Sequence, residues 1–339
     1  MKIIVDVHGG DHPEEVVKGA ITALNQEKDI TLILAGKEEE INRMLTGLSY
    51  DASRLEILPA TEEISCSDEP TVAIRTKKES SLVLAYNRLK DDEEVVGLIS
   101  AGSTGAVLAG GFMRIGRLKG VSRPALGPVL PTLTGGKVLL MDSGANVDCK
   151  PVNLCHFAVM ASAYMQAVEG VKNPRVALLC NGTEDEKGNA QVKATFPLLK
   201  QMPSVNFVGN MEARELLSGD YDVVVADGFA GNVALKSVEG GVKTVTSTLK
   251  AGIKSSFMAK IGALFMKGVL KNMKQRLDVN GQGGAVLLGL KKTVVKVHGS
   301  CKASAVVGAV SQVKKMAEFD IATAITNGLA EMPALDFAE

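Results

Sequence analysis

The sequence has no excess of charge of either sign: Lys plus Arg and Asp plus Glu each total 38 in a chain of 339 residues. A balanced chain creates no global field that attracts nucleic acids or acidic ligands. We therefore expect no nucleic-acid partner, and an electrostatic ligand must be bound by a local patch. With 46% hydrophobic residues and no tryptophan, the chain can bury one large core or two closely joined lobes.

Cysteines are few, and long apolar runs are absent. The five cysteines are odd in number and form no CxxC pair, which indicates a reduced, intracellular chain without a disulfide framework or a zinc cluster. No uncharged run approaches the length of 18 apolar residues that a membrane span needs. The first residues, MKIIVDVHGGDHPEE, lack the long apolar region of a secretory signal, so we expect none.

Several common catalytic signatures are also missing. A P-loop for nucleoside triphosphates is unsupported, because Gly136 and Lys137 are followed by Val138 rather than by serine or threonine. The stretch SAGSTGAVLAGG does not have the GxGxxG spacing of a dinucleotide site. GxSxG is absent and the chain has four histidines, which argues against an acyl-serine hydrolase.

The chain does contain a repeated pattern of strand, turn and helix. Continuous apolar runs such as KIIVDVHGG, TLILAG, KVLLMDSGAN, RVALLCNGTED and DVVVADG end in Gly, Asp or Asn, which is typical of strands buried on both faces of a parallel sheet. Helical stretches lie between most of these runs. The alternation predicts an α/β fold with helices on both sides of a mostly parallel sheet, in one α/β module over residues 1–339.

Residues 242–277 differ from the rest of the chain in their charge and in the spacing of their apolar residues. Apolar residues recur every three or four positions, and the segment carries eight Lys or Arg and no acid, which predicts basic amphipathic helices. Gly262 and Gly268 place a break near the middle, so we predict a protruding helical hairpin. An apolar stripe is usually a dimer core, and a basic amphipathic helix also suits an anionic bilayer surface. We predict that the helix stems pair in a dimer and that the tip, IGALFMKGVL (residues 261–270), contacts lipid. The residues predicted to face the membrane are Ile261, Leu264, Phe265 and Lys267.

Ligands of open parallel sheets bind outside the carboxyl ends of the strands. Here those ends carry glycines, which let backbone N–H groups approach an anion, and helix starts, which favour negative charge. The same residue types also make turns and cap helices, and for a single loop that explanation is the commoner one. Seven such loops at one edge favour a shared anionic or carbonyl-bearing substrate. The predicted substrate- and phosphate-binding residues are Asp6, Gly9, Gly10, Asp11, Gly102, Ser103, Thr104, Gly105, Asp142, Asn146, Asp148, Asp227, Gly231 and His298.

Two other interpretations of these loops are weaker. His8, Asp11 and His12 could ligate a metal, but a glycine-rich turn with incidental imidazoles is the commoner arrangement. Cys149 and Cys180 lie near predicted strand ends without a histidine partner evident in the sequence, and small buried cysteines are common. We therefore predict no metal site and no thiol nucleophile.

A series of ordered motifs resembles the bacterial phosphate acyltransferase family PlsX. The motifs read DxxGGDH, SAG(N/S)TGA, RPALxPxLPT, DxGANVDxKP, GTEDxKGN, DGFxGNVxLK and HG(S/N), and they fall on Asp6–His12, Ser100–Ala106, Arg123–Thr132, Asp142–Pro151, Gly182–Asn189, Asp227–Lys236 and His298–Ser300. They span nearly the whole chain. The departures are Val7-His8, where the family usually has Ala-Met, and Ser103, where it usually has Asn.

The resemblance implies a fold and a reaction. It implies a three-layer α/β/α sandwich related to the isocitrate and isopropylmalate dehydrogenases, in a homodimer that attaches peripherally to the cytoplasmic face of the cell membrane. It also implies transfer of a long-chain acyl group from acyl carrier protein to inorganic phosphate. The acyl phosphate would feed the membrane glycerol-3-phosphate acyltransferase at the start of phospholipid (phosphatidic acid) synthesis. No metal or organic cofactor is expected, and the family's catalytic lysine falls on Lys187.

The chemistry of this reaction needs positioning more than a catalytic base. Phosphate near neutrality is already an anionic nucleophile, and a thiol leaving group has a pKa near 8.5. The site must bring two anionic partners together and stabilise the tetrahedral oxyanion. Asn232 stands at the start of a helix after a glycine turn, where its amide can donate to an oxygen. We predict Lys187 and Asn232 as the catalytic pair.

Three alternatives stay open on the sequence alone. A decarboxylating dehydrogenase of the related fold would need a divalent metal and an arginine cluster, which we cannot assemble from this sequence. A phosphate acetyltransferase using coenzyme A fits the basic amphipathic segment less well. A non-catalytic scaffold that binds acyl carrier protein is separated from an enzyme by whether phosphate is needed to release the free carrier.

Overall fold

The computed structural model describes residues 1–276 and 283–333. The strands, labelled β1 to β12 in chain order, are Lys2–Asp6, Thr31–Gly36, Leu55–Pro59, Val95–Ser100, Ala125–Gly127, Val129–Pro131, Lys137–Met141, Arg175–Cys180, Asn206–Glu212, Val223–Val225, Ala285–Leu288 and Thr293–Lys296. The helices, labelled α1 to α12, are Pro13–Gln26, Glu38–Leu45, Pro70–Thr76, Ser81–Asp91, Thr104–Gly110, Pro151–Glu169, Ala190–Lys200, Gly228–Ser255, Phe257–Phe265, Lys267–Arg276, Ala303–Glu318 and Ile321–Ala330.

The strands form two mostly parallel sheets. The first has seven strands in the order β3-β2-β1-β4-β12-β11-β5, and the second has five in the order β6-β7-β10-β8-β9. Strand β11 runs antiparallel to both of its neighbours, and β6 runs antiparallel to β7. All other pairings in the two sheets are parallel. The carboxyl ends of the parallel strands therefore lie together at one edge of each sheet.

Alternate residues of each strand face different helical layers, as the two-residue period of a strand requires. In β1, Ile3 and Val5 pack into a central cluster with α1 and α11, whereas Ile4 packs into a second cluster with α3 and α4. In β10, Val223 belongs to the same central cluster, whereas Val224 packs against α8 in a third cluster. Both sheets thus have helices on both faces, and the central cluster joins them.

This arrangement confirms the predicted α/β/α architecture with mostly parallel strands, although the strands are divided between two sheets. Strand order is not encoded in a local pattern, which is why the division was not predicted. The assignment of residues 1–339 to one module stays a prediction, and residues 277–282 and 334–339 lie outside the described ranges.

The basic segment predicted as a hairpin is a set of three consecutive helices with different breaks from those expected. Helix α8 enters the segment from Gly228 and ends at Ser255. The interruptions lie at Ser256 and Met266, whereas Gly262 and Gly268 are helical. The Ser256 side chain accepts a hydrogen bond from the Ala259 N–H and caps α9. A capping hydroxyl defines a helix start, whereas an isolated glycine inside a helix only weakens it.

The three helices carry large exposed apolar side chains. The exposed fractions of Phe257, Met258, Leu264 and Phe265 are 76%, 72%, 72% and 88%. No helix within the described ranges is both long and apolar enough to cross a bilayer. We call residues 242–276 the basic arm.

Candidate active site

The loops that follow β1, β4 and β12 start from neighbouring strands of the first sheet. Asp6 is in register with Ser100, and Ser100 is in register with Lys296. Three polar side chains thus stand side by side at the carboxyl ends of adjacent strands. The loop after β1 is tied to the loop after β12 because the Asp11 N–H donates to the Gly299 carbonyl at 2.9 Å.

Asp6 holds these loops in place through hydrogen bonds to its buried carboxylate. Its carboxylate is fully buried and accepts hydrogen bonds of 2.6 Å from the hydroxyls of Ser81 and Ser100. The Gly102 N–H in turn donates to the Ser100 hydroxyl at 3.0 Å. Burial raises the pKa of Asp6. A Cβ at Gly9 would lie 2.4 Å from the Asp6 carboxylate, so only glycine fits over it.

Other residues predicted in these loops have structural partners. A Cβ at Gly10 would lie 2.6 Å from Ala101, and one at Gly105 would lie 2.6 Å from Pro70. Ser103 caps α5 by accepting from the Ala106 N–H. These positions shape the loops, and their predicted contacts with substrate stay predictions.

Asp142 plays the equivalent part in the second sheet, at the end of β7. Its buried carboxylate accepts from the backbone N–H groups of Leu126, Ala145 and Asn146 and from the Asn146 amide. The Asn146 amide also donates to the Pro124 carbonyl at 2.8 Å. Burial raises the pKa of Asp142. The loop over residues 142–146 is therefore rigidly held by one carboxylate.

Helix α8 begins against this loop. Asp227 caps it by accepting from the Ala230 N–H at 2.7 Å, and the Gly228 N–H donates to the Asn146 carbonyl at 2.7 Å. A Cβ at Gly231 would lie 1.9 Å from the Asp142 carbonyl oxygen. The glycines permit this close approach, whereas their pattern in the sequence predicted only a turn. This close packing at Gly231 also positions Asn232, which is the next residue of the helix.

Asn232 lines a cavity of about 300 Å³. A Cβ built on Gly144 would lie 3.7 Å from the Asn232 amide carbon, so the side chain stands over the loop after β7. The cavity is lined by elements of both sheets, including Thr104 at the start of α5 and His298 after β12. Thr104, Asn232 and His298 were all predicted site residues. The apolar part of its wall is formed by Leu126, Pro128, Val129 and Leu235.

Two lysines of this cavity, Lys236 and Lys296, were not named as site residues from the sequence. Lys236 lies one helical turn after Asn232 and forms a 2.7 Å ion pair with Glu239, which also lines the cavity. Lys296 ends β12 and is half-buried. A signal for both existed in the sequence, because Lys236 is four residues after Asn232 in one helix and so shares its face, and Lys296 lies two residues before His298. Lys236 could thus have been inferred from Asn232, and Lys296 from His298.

Lys187 lies in the loop after β8, and its side chain is exposed. Its N–H donates to the Glu184 carbonyl at 3.1 Å, and Asn189 caps α7 by accepting from the Val192 N–H. Because β8 pairs with β10 in parallel, the Lys187 loop and the start of α8 leave the same edge of the second sheet. Asn232 lines the cavity, whereas Lys187 is not part of its lining.

The remaining candidates have other surroundings. Asp148 is exposed, and its carbonyl accepts from Arg123. His8 is buried and hydrogen-bonded to the Glu40 carboxylate at 3.0 Å. Burial raises the pKa of the Cys149 thiol to about 11. A thiol that stays protonated is a poor nucleophile. Within the described ranges, no group of three or more His, Cys, Asp or Glu side chains is placed to hold a metal ion.

Comparison with known sequences places the chain in a family. A family described as fatty acid synthesis protein matches residues 1–324. The phosphate acyltransferase of Bacillus cereus (strain B4264) is 46% identical over 328 residues, which cover 96% of this chain and 98% of the relative. The phosphate acyltransferase of Bacillus thuringiensis (strain Al Hakam) is 46% identical over 334 residues, which cover 98% and 99%.

Comparison with solved structures shows a shared fold at low identity. A phosphotransacetylase from Streptococcus pyogenes superimposes with a TM-score of 0.60 at 18% identity, and the EutD phosphotransacetylase from Staphylococcus aureus with 0.57 at 20%. Each match covers 94% of both chains. Because the sequence match to the Bacillus enzymes extends over nearly the whole length, this chain belongs to the phosphate acyltransferase family PlsX and is an acyltransferase of fatty acid and phospholipid synthesis.

Proposed function

We propose that the chain transfers an acyl group from acyl carrier protein to inorganic phosphate in the cavity beside Asn232. A phosphate oxygen attacks the thioester carbonyl carbon, the tetrahedral intermediate collapses, and the carbon–sulfur bond breaks. The products are acyl phosphate and the carrier thiolate, which takes a proton from solvent. The observation that carries this proposal is one cavity in which an amide donor, cations and an apolar wall face the same space.

Asn232 is assigned to the carbonyl oxygen. Its amide is a neutral donor held on the first turns of a helix whose start is fixed by Asp227 and by the close packing of Gly231. A donor that needs no rearrangement stabilises the developing oxyanion most effectively, and loss of one such donor costs about 100- to 1,000-fold in rate. The apolar wall that includes Leu126 and Leu235 suits the first carbons of an acyl chain.

The test is steady-state formation of acyl phosphate from palmitoyl-carrier protein and phosphate. We expect Asn232→Ala to lower kcat at least about 100-fold. Ser237→Ala is the matched control, since Ser237 is an exposed polar residue of the same helix outside the cavity, and it should retain wild-type turnover. Equal rates for Asn232→Ala and the control would refute the assignment of Asn232.

Lys187 is assigned a supporting charge at the neighbouring loop. Its exposed ammonium at the same edge of the second sheet can neutralise charge on the arriving phosphate or on the oxyanion after the donor binds. Lys187→Ala should then reduce kcat/KM, whereas Lys193→Ala, an exposed lysine of α7, should not. Identical kinetics for these two variants would remove Lys187 from the mechanism.

We assign the basic arm to two surfaces, a dimer partner along its stem and an anionic bilayer at its tip. The support is a set of exposed apolar side chains, including Phe257, Leu264 and Phe265, in a segment rich in lysine. Ile261 and Lys267 belong to the same tip. A site at the cytoplasmic face of the membrane would deliver the labile acyl phosphate directly to the membrane glycerol-3-phosphate acyltransferase.

A further inference from the structure

We propose that Lys296, with Lys236 and His298 beside it, binds the attacking phosphate, so that phosphate and thioester carbonyl are held by different parts of one cavity. The inference rests on the proposed function and adds to it the residues that recognise the second substrate. Asn232 then serves the carbonyl, and this basic cluster serves the nucleophile.

The position of Lys296 is fixed by the sheet. It ends β12 in register with Ser100 of β4, whose own neighbour in register is the buried Asp6 of β1. Lys296 lines the cavity together with Asn232 and with Thr104, the first residue of the helix that follows β4. A residue at the end of a central parallel strand is held more precisely than one on a long loop, which suits an oriented nucleophile.

Lys296 forms no salt bridge in the part of the chain that the structure describes, and the carboxylate that acts on its charge, Glu239, is already paired with Lys236 at 2.7 Å. Within residues 1–276 and 283–333, the Lys296 ammonium also has no hydrogen-bond acceptor. Burial lowers the pKa of Lys296, and the positive charge of Lys236 lowers it further. A partly desolvated charge without a salt bridge is costly, and a bound anion removes that cost. The cavity is therefore preorganised for an anionic ligand.

The cluster keeps a net positive charge despite its carboxylate. Lys236 and Lys296 supply two positive charges and Glu239 one negative charge, so one positive charge remains when His298 is neutral. Inorganic phosphate is an anion at pH 7. The positive charge that remains after Glu239 is counted favours a small anion and disfavours a second apolar group at this wall of the cavity.

His298 adds a directed donor. The Ser300 N–H donates to His298 Nδ1 at 3.2 Å, so Nδ1 is an acceptor and the neutral ring carries its proton on Nε2. Partial burial lowers the pKa of His298, and the charge of Lys296 lowers it further, which favours this neutral form. His298 lines the cavity, and we assign its Nε2–H to a phosphate oxygen bound there.

The test is the pair of Michaelis constants for phosphate and for palmitoyl-carrier protein. In Lys296→Met we expect KM for phosphate to rise at least about 30-fold, because a partly buried charge contact is lost. The KM for the carrier should change less than about threefold, since the acyl donor does not use this cluster. Lys296→Arg keeps the charge and should restore most of the phosphate affinity.

Lys291→Met is the matched control. It removes the same charge from an exposed lysine in the short connection between β11 and β12, away from the cavity, and should leave both constants unchanged. Lys236→Met, on the exposed face of α8, carries the test independently if Lys296→Met fails to fold, with an expected rise of about fivefold in KM for phosphate.

A calorimetric titration with inorganic phosphate alone separates this inference from the proposed function. Binding by wild type that is lost in Lys296→Met supports the inference, even if no acyl phosphate is formed. An unchanged phosphate KM in folded Lys296→Met, or equal losses for phosphate and carrier, overturns the inference and leaves the proposed function standing.

Discussion

Replacing Gly231 with alanine tests the contact that seats helix α8 against the loop after β7. A Cβ at this position would lie 1.9 Å from the carbonyl oxygen of Asp142 and 3.0 Å from its carbonyl carbon. Both are backbone atoms of a loop that the Asp142 carboxylate already fixes through hydrogen bonds. The contact must open by about 1 Å, and overpacking of this kind costs about 1–3 kcal/mol.

The same displacement moves the proposed oxyanion donor, because Asn232 is the next residue of the helix. A misplacement of about 1 Å lowers an enzymatic rate about 100-fold. Gly231→Ala should therefore lower both the urea midpoint of unfolding and kcat/KM for acyl-phosphate formation, the latter about 100-fold. The assays are urea denaturation followed by circular dichroism and initial rates with palmitoyl-carrier protein.

Gly240→Ala is the matched control in the same helix. A Cβ at Gly240 would have no neighbour within 4 Å, so alanine should raise helix stability by about 0.5–1 kcal/mol without affecting turnover. If Gly231→Ala behaves like Gly240→Ala in both assays, helix α8 does not press on this loop, and the account of how Asn232 is positioned is wrong.

Three further outcomes follow from the structure. Leu264→Glu or Phe265→Glu should weaken flotation of the protein with anionic liposomes, because both side chains are exposed at the tip. The control Thr248→Glu adds the same charge on the stem and should weaken flotation much less. Equal effects would exclude insertion of the apolar tip into the bilayer. Burial lowers the pKa of His156 from 6.5, so the unfolded chain binds more protons than the folded chain, and stability falls as pH drops below about 6.5. His156→Gln should therefore weaken the dependence of the melting temperature on pH in this range. An unchanged dependence would contradict the assignment. Tyr86→Phe removes a buried 2.6 Å hydrogen bond to a carbonyl of α5 and should lower the stability measured in urea by about 1 kcal/mol, with no change in KM; a wild-type urea midpoint would contradict this.

The sequence was informative where structure follows from local chemistry. Continuous apolar runs correctly indicated the parallel strands β1, β2, β7, β8 and β10, because strands buried on both faces cannot alternate. Asn232, which lines the cavity, could be singled out because a glycine turn before a helix is visible in the sequence, and its catalytic role stays a prediction. The short antiparallel strands β5, β6 and β11 were not predicted, since segments of three or four residues carry too little pattern to be recognised.

The cavity itself depends on contacts that no local pattern contains. Thr104, Asn232 and Lys296 are far apart in the chain: Thr104 follows β4 and Lys296 ends β12 of the first sheet, whereas Asn232 follows β10 of the second. Lys296 resembled an ordinary strand residue until the register placed it beside Ser100. Lys187 shows the converse, because its loop leaves the expected edge while its side chain is not in the cavity lining. A loop's direction is set by tertiary packing rather than by its motif.

The most direct test of the central claim is a reaction of palmitoyl-carrier protein with ¹⁸O-labelled phosphate, followed by mass detection of the products. We predict palmitoyl phosphate that carries the label, formed one for one with free carrier thiol, and no carrier release when phosphate is omitted. Release of carrier together with free palmitate, at the same rate with and without phosphate, would contradict acyl transfer to phosphate in this cavity.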